Sequence, residues 1–167
     1  MAIPGEKGGL FTATGLEHDE SGDPNFEPKN HQTMQEKRRR KLRLVLKGTD
    51  LVRRYGVENP DIGIIGWGST EGVIREVVDL SARAGHKVAA LHTKLLQPLP
   101  EREIGEFIAS CKKVVVPELN LEGQFARVLR GRFPREFIQV NKVTGLPFTP
   151  KELWDKIEEV SQRIYHA

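Results

Sequence analysis

The chain has 167 residues, 38% hydrophobic and 29% charged, with a formal net charge of +3 and one cysteine. This is the size and composition of one soluble globular domain with room for an arm. It excludes a helical membrane span, because no apolar run of about 18 residues occurs, and an intrachain disulfide, because Cys111 has no mate. The opening MAIPGEKGG carries no apolar signal core, and a lone cysteine suits a reducing compartment, so a cytoplasmic location is expected.

Residues 1–31 hold five glycines and three prolines with no hydrophobic period, and they read as an extended arm. Residues 32–167 read as a single α/β domain. Charge divides sharply near the junction. Residues 1–36 carry a net −5, and residues 37–47, with Lys37, Arg38, Arg39, Arg40, Lys41, Arg43 and Lys47, carry +7. An acidic stretch before a basic one implies pairing within the chain or docking onto a partner. In the arm, Glu17, His18, Asp19 and Glu20 are consecutive. One turn cannot aim all four at one ion, and no second ligand cluster is spaced from them, so docking of the arm is preferred to a metal site. The basic block lacks interleaved aromatic residues and is read as a solvated or interface face, not as a nucleic-acid patch.

From about Gln32 to Tyr55 the spacing predicts helix. Leu42, Val45 and Leu46 make one apolar stripe, and Leu51, Val52 and Tyr55 repeat it. Gly48, with Thr49 and Asp50 as caps, leaves one helix or two equally open. Thereafter strands and helices alternate. Apolar runs at Ile62–Ile65, Lys87–Leu91, Lys113–Val116 and Phe137–Val140 predict buried strands. Between them, helices are expected with apolar faces Val73, Ile74, Val77, Val78 and Leu80, then Ile104, Phe107, Ile108 and Cys111, then Phe125, Val128 and Leu129. Gly85 is placed as the C′ residue of the first of these. Thr149-Pro150 with Glu152 forms a capping box for a last helix buried through Leu153, Ile157, Val160 and Ile164. This alternation implies a mainly parallel sheet covered on both faces, with functional groups at the C-terminal ends of its strands.

Two corners lie on that rim. Gly66-Trp67-Gly68-Ser69-Thr70-Glu71-Gly72 spaces its glycines one residue wider than the dinucleotide fingerprint. No Lys-Ser/Thr pair closes it, and the next strand ends Leu91-His92-Thr93 without the ribose-binding acid. Gly68, Ser69 and Thr70 are the candidates for an anion site on the helix N-terminus. A tight corner capped by Ser69 or Thr70 is the preferred reading. Trp67 is expected half-buried against a neighbour or exposed as a contact. In the second corner, Pro117-Glu118-Leu119-Asn120-Leu121-Glu122-Gly123-Gln124, helix capping and a polar contact site built on Glu118, Asn120 and Gln124 stand level. None of the five histidines shares a recognisable catalytic motif with a serine, cysteine and acid. Cys111 reads as a small buried hydrophobe.

Five stretches in this order, ATGLEHDESGDP, KRRRKL, IGWGSTEGVIREVV, LLQPLP and VPELNLEGQ, resemble the C-terminal half of the alpha subunit of 2-oxoacid:ferredoxin oxidoreductases, notably the 2-oxoglutarate type. The resemblance runs from about Ile3 to Val160. It implies a three-layer α/β/α sandwich similar to the transketolase C-terminal domain, with one antiparallel strand that pattern alone does not reveal. It also implies an enzyme that uses thiamine diphosphate and iron–sulfur clusters to decarboxylate a 2-oxoacid oxidatively, reduce ferredoxin and form an acyl-CoA. The pyrimidine-binding domain of such subunits is expected outside this chain, and the diphosphate-binding domain in the beta subunit. A cluster takes about four cysteines. The chain is therefore expected to be a scaffold and interface domain, with no catalytic, cofactor or metal residue of its own and no activity alone. The interface residues expected are Gly15, Glu17 and His18 in the arm and Trp67, Glu118, Asn120 and Gln124 on the rim. Expected partners are the beta subunit and the pyrimidine-binding domain, with ferredoxin and CoA at the level of the complex and a homo-oligomer left open. A stand-alone nucleotide or acyl-CoA binding module using the Gly66–Gly72 corner is the alternative.

Overall fold

The computed structural model describes residues 3, 5–10, 12–48 and 50–165. Two compact units are present, Met1–Gly48 and Thr49–Ala167. In the first, helix α1 spans Pro28–Val45 with proline in its first turn, where a missing N–H costs nothing. The stripe Leu42, Val45 and Leu46 lies in α1 and just beyond it, and these three side chains are exposed.

The second unit is built on a five-stranded sheet of order β1-β3-β2-β4-β5, with β1 Val52–Gly56, β2 Ile62–Trp67, β3 Val88–Thr93, β4 Lys113–Glu118 and β5 Ile138–Asn141. β2 to β5 are mutually parallel, and β1 runs antiparallel along β3, with Arg53 opposite His92 and Tyr55 opposite Ala90. This corrects the helical reading of Leu51, Val52 and Tyr55, and it supplies the antiparallel strand that the resemblance implied. The apolar residues of Val-Arg-Arg-Tyr sit three apart because this edge strand puts a different face on each side. Val52 packs toward one core and Tyr55 toward the other, while Arg53 and Arg54 stay exposed. Of the two proposed caps, Asp50 instead pairs its carboxylate with Lys94, and Thr49 lies outside the described residues.

Helices α2 Glu71–Arg83, α3 Glu101–Ala109, α4 Gln124–Arg132 and α5 Pro150–Tyr165 form the outer layers. α2 and α5 cover one face over Ile62, Ile64, Val88 and Ala90. α3 and α4 cover the other over Ile65, Leu91, Val114 and Val116. Strand residues alternate between these two cores, which is why the strands read as unbroken apolar runs. α2 ends as expected. His86 N–H reaches the Ser81 carbonyl (2.9 Å) and Gly85 N–H the Ala82 carbonyl (3.1 Å), with Gly85 at φ +80°, a conformation glycine adopts without strain. The capping box of α5 also forms. Thr149 N–H donates to Glu152 Oε2 (2.7 Å) and Glu152 N–H to Thr149 Oγ1 (3.3 Å). One helical position differs: Val128 is 44% exposed, and Ala126 takes the inward place beside Phe125 and Leu129.

The sheet and α3 approach closely at Gly63. A Cβ there would lie 2.4 Å from Cys111 Sγ and 3.0 Å from Phe107 Cε1. Cys111 is buried, and burial pushes its thiol above the usual range. Gly63→Ala is therefore expected to destabilise this unit by about 1–3 kcal/mol through overpacking. Cys111→Ala in the same chain should recover part of the loss, as read by urea denaturation.

Candidate functional site at the switch point of the sheet

The chain runs from β2 through α2 to β3 on one side, then crosses through α3 to β4 on the other. The crevice between the C-terminal ends of β2 and β4 is thus the topological switch point, the place where open α/β sheets carry ligands. A cleft of about 280 Å³ lies there, lined by Trp67, Ser69, Thr70, Glu118, Leu119, Asn120 and Gln124. The fold thus brings together the rim residues picked from both corners.

In the first corner, Gly68–Thr70 form a single 3-10 turn ahead of α2, with Gly68 at φ +61°. The Thr70 hydroxyl donates to the Trp67 carbonyl (2.8 Å) and accepts from the Trp67 N–H (3.2 Å). That side chain closes the turn and makes no cap bond to α2, which corrects the cap expected of Ser69 or Thr70. Trp67 is half-buried, its indole edge-on to Phe125 with centroids 6.4 Å apart. Ser69 and Gln124 are the exposed polar groups of the lining.

The second corner resolves into a cap. Glu118 is 1% exposed. Its carboxylate accepts from Phe125 N–H (2.8 Å) and Ala126 N–H (2.9 Å), and from the Asn120 amide (2.8 Å). Asn120 Oδ1 accepts from Gly123 N–H (2.8 Å) and Gln124 N–H (3.2 Å). Two side chains thus satisfy four consecutive N–H groups at the start of α4, where the helix dipole also favours a negative charge.

The arm residues Gly15, Glu17 and His18 belong to the other unit. Gly15 is exposed. Glu17 accepts from both Arg38 Nη atoms and pairs with His31 Nδ1 (2.7 Å), while Glu20 pairs with Lys37 (3.0 Å). His18 Nδ1 meets the Asp19 carbonyl (2.6 Å). Asp19 Oδ1 accepts from the N–H groups of Ser21, Gly22 and Asp23. Of the two roles left open for the acidic and basic stretches, pairing within the chain is the one observed.

A third cluster escaped sequence reading. Glu71, opening α2, accepts from Tyr55 OH (2.5 Å) and Arg53 (3.1 Å) on β1, and its other oxygen lies 3.8 Å from His92 Nε2 on β3. His92 is 5% exposed, and burial pushes its ring below the usual imidazole range. The available signal was an acid in the first turn of α2. Its partners on β1 stayed hidden while that strand read as helix.

A mostly parallel sheet with one antiparallel edge and a capped switch point defines an α/β/α sandwich of the transketolase C-terminal type. Split-gene transketolase shares that fold (inactive β4 tetramer; 18% identity over 87% of this chain and 46% of that one, TM-score 0.52). The family model for pyruvate:ferredoxin oxidoreductase core domain II matches residues 60–153, more than half of the chain, and the chain belongs to that family. It is 39% identical over 92% of its length to the 2-oxoglutarate oxidoreductase subunit KorA of Mycobacterium tuberculosis, covering 23% of that protein. It is 29% identical to 2-oxoacid:ferredoxin oxidoreductase 1 subunit alpha of Aeropyrum pernix, over 92% of this chain and 25% of that one. Among solved structures it resembles 2-oxoglutarate:ferredoxin oxidoreductase from Magnetococcus marinus, determined with 2-oxoglutarate, coenzyme A and succinyl-CoA bound. That match is 42% identical, covers 95% of this chain and 28% of that one, and has a TM-score of 0.79. The chain thus spans about a quarter of the length of these relatives, which are named as subunits of oxidoreductases. No helix among the described residues is long and apolar enough to cross a membrane.

Glu118→Ala strips two buried N–H groups of their acceptor and should cost about 2–4 kcal/mol, against about 1 kcal/mol for Asn120→Ala, measured by chemical denaturation. The Arg38 guanidinium, helped by His31, holds the Glu17 carboxyl at about 2 against an ordinary 4.5. A lowered carboxyl favours the folded arm above the ordinary value, so this anchor should be complete above pH 4.5 and lost as pH falls toward 2. The Glu17 carboxyl 13C shift should titrate accordingly, and Arg38→Ala should return its midpoint toward 4.5.

Proposed function

We propose that this chain is the core-domain-II portion of the alpha subunit of a 2-oxoacid:ferredoxin oxidoreductase, acting on 2-oxoglutarate, and that it serves there as a scaffold and interface domain. The match to the Magnetococcus marinus enzyme at 42% identity over 95% of the chain carries the reading. In it, the assembled enzyme decarboxylates 2-oxoglutarate oxidatively to an acyl-CoA and reduces ferredoxin. The thiamine diphosphate sits between a pyrimidine-binding domain and the beta subunit, and the iron–sulfur clusters lie elsewhere in the complex.

The residues present do not fit either group. The switch-point cleft has a buried carboxylate, Glu118, and no lysine or arginine in its lining, a poor cradle for a diphosphate, which calls for cations or free N–H groups. Cys111 is a buried thiol held protonated by its apolar surroundings, whereas a cluster requires several thiolates. The same geometry gives no support to a free-standing nucleotide module, since Thr70 is turned back onto Trp67. What the chain offers is surface: half-buried Trp67, exposed Gln124, and Leu119 and Leu121 beside them, 39% and 74% exposed. We assign these to contact with neighbouring domains or the beta subunit.

Calorimetry of the 167-residue chain with thiamine diphosphate and Mg²⁺ should show no binding. Co-expression with the beta subunit and the pyrimidine-binding domain should give a complex that reduces ferredoxin with 2-oxoglutarate. Leu121→Glu should weaken co-purification. Micromolar binding of thiamine diphosphate, or 2-oxoglutarate turnover by the chain alone, would refute the assignment.

A further inference from the structure

The Glu71 cluster joins three elements through one carboxylate, and one member of it is held in an unusual state. His92 is buried beneath the first turn of α2, beside Gly66 in the register of β2 and opposite Arg53 in the register of β1. Its Nδ1 is buried with no hydrogen-bond partner, the only such side-chain atom among the described residues. Its Nε2 stands 3.8 Å from Glu71 Oε2, too long for a hydrogen bond. The charged and titratable groups facing it are Glu71 from α2, Arg53 and Tyr55 from β1, and Lys94 just past β3, itself tied to Asp50. β2 contributes only Gly66, where a Cβ would lie 2.2 Å from Ile74 Cδ1, 2.9 Å from Thr70 Oγ1 and 3.6 Å from Nδ1 itself, and the Thr70 hydroxyl is already committed to the Trp67 backbone.

We propose that His92 is a proton-operated release for the edge strand β1. With the imidazole neutral, Glu71 is free to clamp β1 to α2 through Tyr55 and Arg53. A proton taken from solvent creates a buried imidazolium whose one reachable counter-charge is Glu71. The carboxylate is drawn inward across the 3.8 Å gap, its hold on Tyr55 and Arg53 slackens, and the second ring N–H is left without an acceptor. Both changes disfavour the closed edge. Two cations, Arg53 and Lys94, oppose the proton and one anion favours it, and burial lies on the side of the neutral ring. The sign follows. A histidine harder to protonate when folded lends stability above its ordinary value near 6.5, and this stability declines as pH falls below it. β1 is the element that yields, because it is an edge strand with β3 as its one neighbour in the sheet.

Amide hydrogen exchange of the full chain between pH 7.5 and 5, corrected for intrinsic rates, tests this directly. Protection of the β1 amides bonded to β3 should fall about tenfold relative to those of β2 and β4, the factor carried by one pH unit of linked protonation. The His92 ring resonances of the folded chain should titrate below the ordinary value near 6.5, where the loss of protection levels off. His92→Gln should abolish the pH dependence. Glu71→Gln should lower β1 protection already at pH 7.5, because it removes the clamp itself, which serves if His92→Gln does not fold. A β1 protection that ignores pH in the wild type, that keeps its pH dependence in folded His92→Gln, or that is unchanged at pH 7.5 in Glu71→Gln would overturn the proposal.

Discussion

The buried carboxylate of Glu118 is the constraint around which the second unit is organised. An acid at the C-terminal end of a central strand is costly to desolvate. Here its oxygens accept from the N-terminal amides of α4 and from Asn120. Strand β4, the following loop and α4 are therefore locked as one piece, and the locked piece fills half of the switch point. In many open α/β sheets the amides at such a helix start are left for a ligand. In this chain they are already occupied from within, so the position that would carry chemistry is a structural joint.

The first corner is closed differently, within its own turn. Thr70 closes back on Trp67, and Trp67 leans on Phe125 from the capped helix. The two corners thereby meet through an aromatic contact across the crevice. On the function proposed above, this domain is a part fitted into a larger enzyme. The Glu118 and Asn120 side chains of its rim are satisfied internally, and Leu119 and Leu121 remain outward.

Much of this was legible in the residues. The Gly85 terminator, the Thr149–Glu152 box and the four apolar strands rest on local chemistry within a few positions, and local chemistry is what a sequence displays. Glu118, Asn120 and Gln124 stand out as a set because their corner follows a strand. The choice between contact and cap could not be made there, since it turns on a carboxylate reaching seven and eight residues forward. β1 reads as helix for a related reason. Val52 and Tyr55 lie on opposite faces of an edge strand, and spacing alone makes three residues look like most of a helical turn. With that strand mistaken, the cluster of Glu71, Tyr55, Arg53 and His92 had no visible geometry.

Edge strand β1 has a further consequence. It presents adjacent arginines, Arg53 and Arg54, on a run of only five residues. A short, positively charged margin is a poor template for another chain to extend by hydrogen bonding, because each added copy would stack like charges against its neighbour. Antiparallel β1 thus closes a parallel sheet that would otherwise expose β3, apolar through Val88, Ala89, Ala90 and Leu91, as an open seam. A protein shorn of this strand would be prone to stick to itself side by side, and its first symptom would be turbidity on concentration.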